Sequence, residues 1–255
     1  CSTQMHFKNM DTGELLLEMR NGEIVQQNNN LSPCSRIEIY FQADPAIFSS
    51  LLLDYDFYGN RFQEMAYLNP HTTIVFKDER KNKNDCRTFH YSAGIKTGLE
   101  NILLSAGREN YPVHYFERSE NNTVYRFAFS IRFWSCTPPL QKSFVNYLHV
   151  IENGSLTEGF FNALLKSLRA YAAEYAPDDH FKFTKKQLKQ QLAVISCYSG
   201  DETDVNFEGP TKRRLASPVM QQTAEEVALP ELTKWLATHP REATPLLREN
   251  EVDEK

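Results

Sequence analysis

The sequence predicts an α+β protein: a mixed sheet with helices on one face, N-terminal strands at one end and a helical extension at the other. Three observations lead there. Apolar residues alternate with polar ones in RIEIYF (Arg36–Phe41) and in TVYRFAFSIRF (Thr123–Phe133), the period of a strand with one apolar face. From Thr157 to Tyr175 the period changes, and Phe160, Phe161, Leu164, Leu165, Leu168 and Tyr171 recur at helical spacing. LAVISCY (Leu192–Tyr198) is an unbroken apolar run, short enough to be a fully buried strand.

The remaining elements follow in order. MHFKNM, ELLLEM and EIVQQ read as short strands, separated by Asp11-Thr12-Gly13 and by the Asn21-Gly22 turn. Asp44-Pro45 offers an N-cap and a first-turn proline, which predicts a short helix from Pro45 to about Ser49. Phe62, Met65, Ala66 and Leu68 mark a helix from Tyr58 to Leu68 that Asn69-Pro70 stops. TTIVFKD and CRTFHY form a hairpin, with His90 on its returning strand, and GIKTGLENILLSAG is a helix with Ile95, Leu99, Ile102 and Leu103 on one stripe.

PVHYFE pairs with the Thr123 strand, on which Phe127, Phe129, Ile131 and Phe133 face one way and Arg126, Ser130 and Arg132 the other. KSFVNYLHV continues the sheet, and Thr184 caps a short basic helix before the buried strand. Ser217-Pro218 opens a last helical region, interrupted at Pro230, fading after Trp235 and fraying over the final fifteen residues. A single core from about Ile37 to Leu215 accounts for the apolar positions. Domain boundaries fall at 1–43, 44–217 and 218–255.

Composition narrows the function classes. The formal net charge is −5 and glycines number only 10 in 255 residues. Neither a GxGxxG nor a GxxxxGK[ST] phosphate loop is present. The net charge argues against the chain as a whole being a freestanding nucleic-acid binder, yet Lys182–Arg214 holds seven Lys/Arg against four Asp/Glu. That local excess leaves room for a phosphate-backbone surface built from Arg126, Arg132, Lys182, Lys185, Lys186 and Lys189.

The five cysteines (Cys1, Cys34, Cys86, Cys136, Cys197) show no CxxC or Cys/His ligand spacing, so they read as free thiols with no metal site. No apolar run approaches the ~18 residues a membrane span needs, and the cytoplasm is the expected compartment. The seven histidines, His90, His149 and His180 among them, have no partner spacing for a triad. Glu117 and Asn121 have a Glu-x-x-x-Asn spacing, but it crosses a turn between strands where a helix would be needed. Phe127, Phe129 and Phe133 alternate as a buried sheet face does, which suits a core better than a base-stacking platform.

The one stretch with a pointed geometry is FEGPTKRRL (Phe207–Leu215). A buried strand leads into it, Gly209-Pro210 kinks it and a capped helix follows, so the long cationic side chains are rigidly mounted. A unit charge about 4 Å from a phosphate charge interacts by roughly 4 kcal/mol at an effective dielectric near 20. That is enough for such a loop to sense an anion.

Taken together, RIEIYFQADPAIF, FQEMAYLN, FHYSAGIKTGLENIL, NGSLTEGFFNALLKSLRAY, LAVISCY and FEGPTKRRL resemble, in that order, the second (transducer) domain of DNA gyrase B and of its topoisomerase IV counterpart. The resemblance runs from about Met5 to Ala224, and FHYSAGI and AYLN carry it most specifically. It implies a ribosomal protein S5 domain 2-like transducer fold. It also implies that residues 1–43 are the tail end of a GHKL-type ATPase domain lying before this chain.

In that family a transducer loop carries Gln-Thr-Lys, and its lysine reaches the γ-phosphate of ATP. The matching positions are Pro210, Thr211 and Lys212, so Thr211 and Lys212 are the implied ATP contacts and the glutamine is replaced. The family's Gly-Gly-Thr-His turn is matched by Asn153-Gly154-Ser155-Leu156, and its acidic helix by the basic Lys185-Lys186-Gln187-Leu188-Lys189-Gln190.

The expectation is a transducer of an ATP-dependent type II DNA topoisomerase. It is not catalytic by itself, and it touches only the γ-phosphate while the preceding domain holds magnesium. The implied partners are that ATPase domain, a gyrase A-like protein and DNA, with the isolated chain a monomer or weak dimer. A paralogue serving as a binding or regulatory module without ATP coupling is the alternative, and an S5-like nucleic-acid binder using Lys182–Arg214 a third reading.

Overall fold

The structure is a computed structural model that describes residues 2–29, 36–80, 85–108, 110–120, 122–131, 140–175 and 184–247. The chain divides into two compact units, Cys1–Tyr58 and Gly59–Lys255. That division falls later than the 43/44 boundary suggested by the sequence.

The first unit is a four-stranded antiparallel sheet of β1 (Ser2–Asn9), β2 (Leu15–Arg20), β3 (Glu23–Gln27) and β4 (Ile37–Ala43), ordered β3-β2-β1-β4. The register places Met5 opposite Met19 and Phe41, and Phe7 opposite Leu17 and Ile39, so one face is apolar across three strands. His6 is on the other face, stacked on Tyr40 and bonded to Glu38. β4 alternates as expected but is not half-buried: Ile37, Ile39 and Phe41 are each more than half exposed. Alternation fixes which side of a strand is apolar; it does not supply a covering layer. The helix expected at Pro45 is a single turn, in which Ile47 and Phe48 amides share the Asp44 carbonyl and Asp44 Oδ1 takes the Ala46 amide. Ile47 and Phe48 stay exposed, so nothing rewards its extension.

α1 (Tyr55–Leu68) starts three residues before the predicted Tyr58, its first four residues being the last of the first unit, and in the second unit β5 (Ile74–Asp78) and β6 (Asp85–Phe89) form a separate two-stranded ladder. His90 lies just past β6 and is exposed, not on the strand. The main sheet comprises β7 (His114–Glu120), β8 (Thr123–Ile131), β9 (Gln141–Val145), β10 (Leu148–Val150) and β11 (Leu192–Ser199), in the order β10-β9-β11-β8-β7. β11 runs parallel to β9 and antiparallel to β8, so the sheet is mixed, as predicted.

Helices cover both faces of this sheet, where the sequence suggested one. α3 (Ser155–Tyr175) and α5 (Pro218–Thr238) pack on the face of Phe127, Phe129 and Val194, and α2 (Ile95–Ser105) on that of Ala128, Ala193, Ile195 and Cys197. The reason lies in β11 itself, which is apolar at odd and even positions alike and needs cover on both sides. The core is accordingly two clusters separated by the sheet rather than one. Phe127, Phe129 and Phe160 are fully buried, so these rings are core and not a stacking platform.

Thr184 caps α4 (Lys185–Gln191) through a capping box with Gln187. α5 runs through Pro230 without interruption. Pro230 is on the exposed side, while Ala228, Leu232, Trp235 and Leu236 are buried, and that packing outweighs the lost hydrogen bond. α5 ends at Thr238, just past Trp235 as expected, but the final fifteen residues do not fray from their start: α6 (Pro240–Ala243) and a 3-10 turn (Thr244–Leu247) bury Ala243, Leu246 and Leu247.

Of the cysteines, Cys86 is exposed and Cys197 buried, both free, and burial pushes the Cys197 thiol far up. Cys1, Cys34, Cys136, Asn121, Phe133 and His180 lie outside the described residues. Among the described residues no helix is long and apolar enough to cross a membrane.

α3 and α5 run side by side in the same direction. Ser155 meets Ser217, Asn162 Nδ2 bonds Glu225 Oε2 at 3.0 Å, and Ser167 Oγ lies 3.0 Å from Thr233 Oγ1. The helices approach closely at Gly159, where a Cβ would be 2.4 Å from the Gln221 carbonyl oxygen.

Candidate functional site

The loop from Gly200 to Ser217 is irregular in backbone yet pinned at its base. The Glu152 amide donates to the Arg213 carbonyl (2.8 Å), the Leu215 amide to Asn153 (3.0 Å) and the Ser155 amide to Leu215 (3.0 Å). On the other side the Glu208 amide bonds the Arg214 carbonyl and the Ala216 amide bonds Asn206. These bonds close Phe207–Leu215 into a tight lobe braced on the start of α3. Gly154 makes the brace possible: its φ is +123°, and a Cβ there would fall 2.1 Å from the Leu215 carbonyl oxygen.

Lys212 is on the lobe, exposed, in the left-handed region at φ +51°. Its ammonium lies 5.4 Å from the centre of the Phe207 ring and makes no ion pair among the described residues. Its neighbours are committed elsewhere. Arg213 Nε is 2.7 Å from Glu152 Oε1, and Arg214 Nε is 3.7 Å from Glu208 Oε2. Pro210 and Thr211 are exposed beside it. Sequence pattern puts three cations in a row; only the folded lobe separates the unpaired one from the two that brace it.

The residues read as a phosphate-backbone surface do not converge. Arg126 lies on β8, on the face opposite α3, 3.3 Å from Glu117 Oε2 and 3.4 Å from Ser199 Oγ. Lys185 Nζ is 3.0 Å from Glu158 Oε2 and 2.9 Å from Asn162 Oδ1, and Lys189 pairs with the same Glu158. Lys186 is exposed on α4. Arg132 and Lys182 lie outside the described residues. No group of three or more metal-ligating side chains occurs among the described residues.

Glu158, which no motif in the sequence marks, is thus the hub joining α3 to α4. Burial works against its ionised form, but hydrogen bonds and charge from Lys189 and Lys185 outweigh that and hold its carboxyl below the ordinary value of 4.5. A depressed folded-state value means stability present above the unfolded value and lost as pH falls through the folded one. Glu158→Gln is therefore expected to flatten the decline in stability below about pH 4.5 relative to the parent protein, followed as urea midpoints from pH 6 to pH 3. An unchanged acid limb would remove Glu158 as its source.

The DNA gyrase B family model matches residues 94–253. The DNA gyrase B protein of Clostridium acetobutylicum is 27% identical over 209 residues, covering 80% of this chain and 32% of the relative. The chain therefore spans about a third of the length of that relative, and 35% of the Enterococcus faecalis DNA gyrase B protein. Among solved structures, the DNA gyrase B protein from Myxococcus xanthus superposes with a TM-score of 0.74 at 21% identity, covering 96% of this chain and 76% of that one. The topoisomerase IV ATP binding domain of Francisella tularensis, in complex with a small molecule inhibitor, gives 0.76 at 18% identity, covering 96% and 67%. These superpositions agree on the α+β fold, and the sequence match extends over most of the second unit. The chain belongs to the DNA gyrase B family.

Proposed function

We propose that the chain is the transducer region of a gyrase B-like ATP-dependent type II DNA topoisomerase, in which Lys212 senses the γ-phosphate of ATP held by a preceding GHKL-type domain. The observation that carries this reading is the Lys212 ammonium, without an ion pair among the described residues, on a lobe whose other two cations are paired. Thr211 next to it supplies a hydroxyl for the same phosphate. The preceding domain would hold the magnesium and the adenine, and this chain would contribute the charge that registers whether a third phosphate is present. Hydrolysis and phosphate release would remove that attraction and free the lobe.

The uncovered apolar face of the first unit, with Ile37, Ile39 and Phe41 exposed, supports a further layer of the ATPase domain packing there. α5 would carry the movement onward to the DNA gate, which a gyrase A-like protein and DNA complete. The fold's ion pairing gives less support to direct DNA contact by Arg126, Lys185 and Lys189, all three of which have carboxylate partners.

The test is Lys212→Ala in the intact protein. ATP turnover should fall roughly tenfold to a hundredfold while ATP binding stays nearly intact, since a charge aimed at the γ-phosphate acts chiefly on the reacting state. Unchanged turnover would sink the proposal. One observation favours the second reading, a binding or regulatory module without ATP coupling: Pro210 has neither a side-chain donor nor a backbone N–H where the resemblance calls for glutamine. That reading requires the intact parent protein to show no turnover at all.

A further inference from the structure

We infer that Ser155 is a positioning residue: its hydroxyl joins the Lys212 lobe to the starts of both long helices. The residue is 6% exposed, and its hydroxyl oxygen makes two bonds, each to a residue some sixty positions away. It donates to the Leu215 carbonyl at 3.2 Å and accepts the Ser217 amide at 2.8 Å. Ser217, 1% exposed, is itself the N-cap of α5, its own hydroxyl accepting the Met220 amide at 3.2 Å. Ser155 is the first residue of α3. One buried hydroxyl therefore ties together the exit of the lobe, the first turn of α3 and the cap of α5.

This inference rests on the reading of Lys212 as the phosphate sensor. A shift of Lys212 displaces Leu215, three residues on. Leu215 is bonded to Ser155 through both the amide and the hydroxyl, and Ser155 holds Ser217, so the two helices must follow as one body. Without the hydroxyl the Ser155 amide still holds Leu215, but the Ser217 amide is left buried with no acceptor and the direct bond between the cap of α5 and the start of α3 is lost. Ser155 touches no nucleotide in this scheme and acts through Leu215 and Ser217 alone.

Ser155→Ala and Ser155→Thr in the intact protein test the idea, with steady-state ATP turnover, nucleotide affinity and amide hydrogen exchange as readouts. Ser155→Ala should lower kcat about tenfold with KM within about twofold, and speed exchange at the Ser217 amide by about tenfold, the scale of one lost buried hydrogen bond. Ser155→Thr, which keeps the hydroxyl, should restore most of both. Turnover unchanged in Ser155→Ala, or equally impaired in Ser155→Thr, overturns the proposal. Should Ser155→Ala not fold, Ser155→Thr against Ser155→Val makes the same comparison at matched bulk, and equal exchange at Ser217 in the two overturns it. If Lys212→Ala leaves turnover untouched, the sensing reading fails by itself; the joint then stands or falls on exchange at Ser217.

Discussion

Replacing Gly154 with alanine is expected to destabilise the protein by at least ~3 kcal/mol, because two separate penalties combine at that position. The first is conformational: φ of +123° is a region that a side chain rarely enters. The second is steric, and its severity lies in what the new Cβ would meet. The Leu215 oxygen, nitrogen and carbonyl carbon would be at 2.1, 2.8 and 2.9 Å, all backbone atoms that no rotamer change can move aside. Relief requires breaking the Leu215 to Asn153 and Ser155 to Leu215 hydrogen bonds, which are the brace of the lobe.

Gly209 provides the control. It also has positive φ, at +76°, but nothing lies within 4 Å of its would-be Cβ, so alanine there should cost only about 1 kcal/mol of left-handed strain. Urea denaturation of the two variants checks the pair. Equal midpoint shifts would show that strain alone, and not the contact with Leu215, makes Gly154 necessary.

The second large effect is expected for Phe160→Ala, at about 3–5 kcal/mol. Phe160 is fully buried, with ring centroids of Phe127, Phe161 and Phe129 at 5.4, 5.5 and 5.6 Å and Phe116 at 6.5 Å. Four rings drawn from β7, β8 and α3 cannot all collapse into the vacated space, because β7 and β8 are held by their ladder and α3 by its contact with α5. Leu104, on α2 but 57% exposed, is the matched comparison and should change stability by no more than about 0.5 kcal/mol as alanine. A Phe160→Ala loss below 1 kcal/mol would mean that the aromatic cluster repacks freely.

Much of this architecture is legible in the residues. The fully buried LAVISCY strand, the Thr184 cap, the Ser217-Pro218 helix start and the alternation of Phe127 and Phe129 all depend on neighbours within a few positions, and local chemistry announces them. What is not legible depends on residues far apart in the chain. The second helix layer follows from the odd-numbered residues of β11, and recognising it requires asking what covers Ala193, Ile195 and Cys197. Pro230 reads as a break because its local penalty is visible, while the burial of Leu232 and Trp235 that outweighs it is not.

The candidate site divides in the same way. Lys212 can be singled out by sequence, but Arg213 and Arg214 become bracing groups only once Glu152 and Glu208 are found beside them. Lys185 and Lys189 read as free cations because their partner, Glu158, is about thirty positions earlier. Ser155 is marked in the sequence only by its match to the threonine of the family's Gly-Gly-Thr-His turn, and nothing nearby announces its partners. A serine after an Asn-Gly pair resembles any turn residue until the chain returns sixty positions later to meet it.

The close approach of α3 and α5 at Gly159 has a consequence for how the protein responds to its ionic surroundings. Lys166–Glu225, on the outside of the helix pair, is an exposed ion pair whose attraction fades as the Debye length shrinks to about 3 Å at 1 M salt. At Gly159 the two helices meet backbone to backbone and side chain to Ala224, a contact of shape with no charge to screen. Counter-ions are therefore expected to loosen the rim of the pair without altering its spacing, the two helices keeping their register in brine as in dilute buffer.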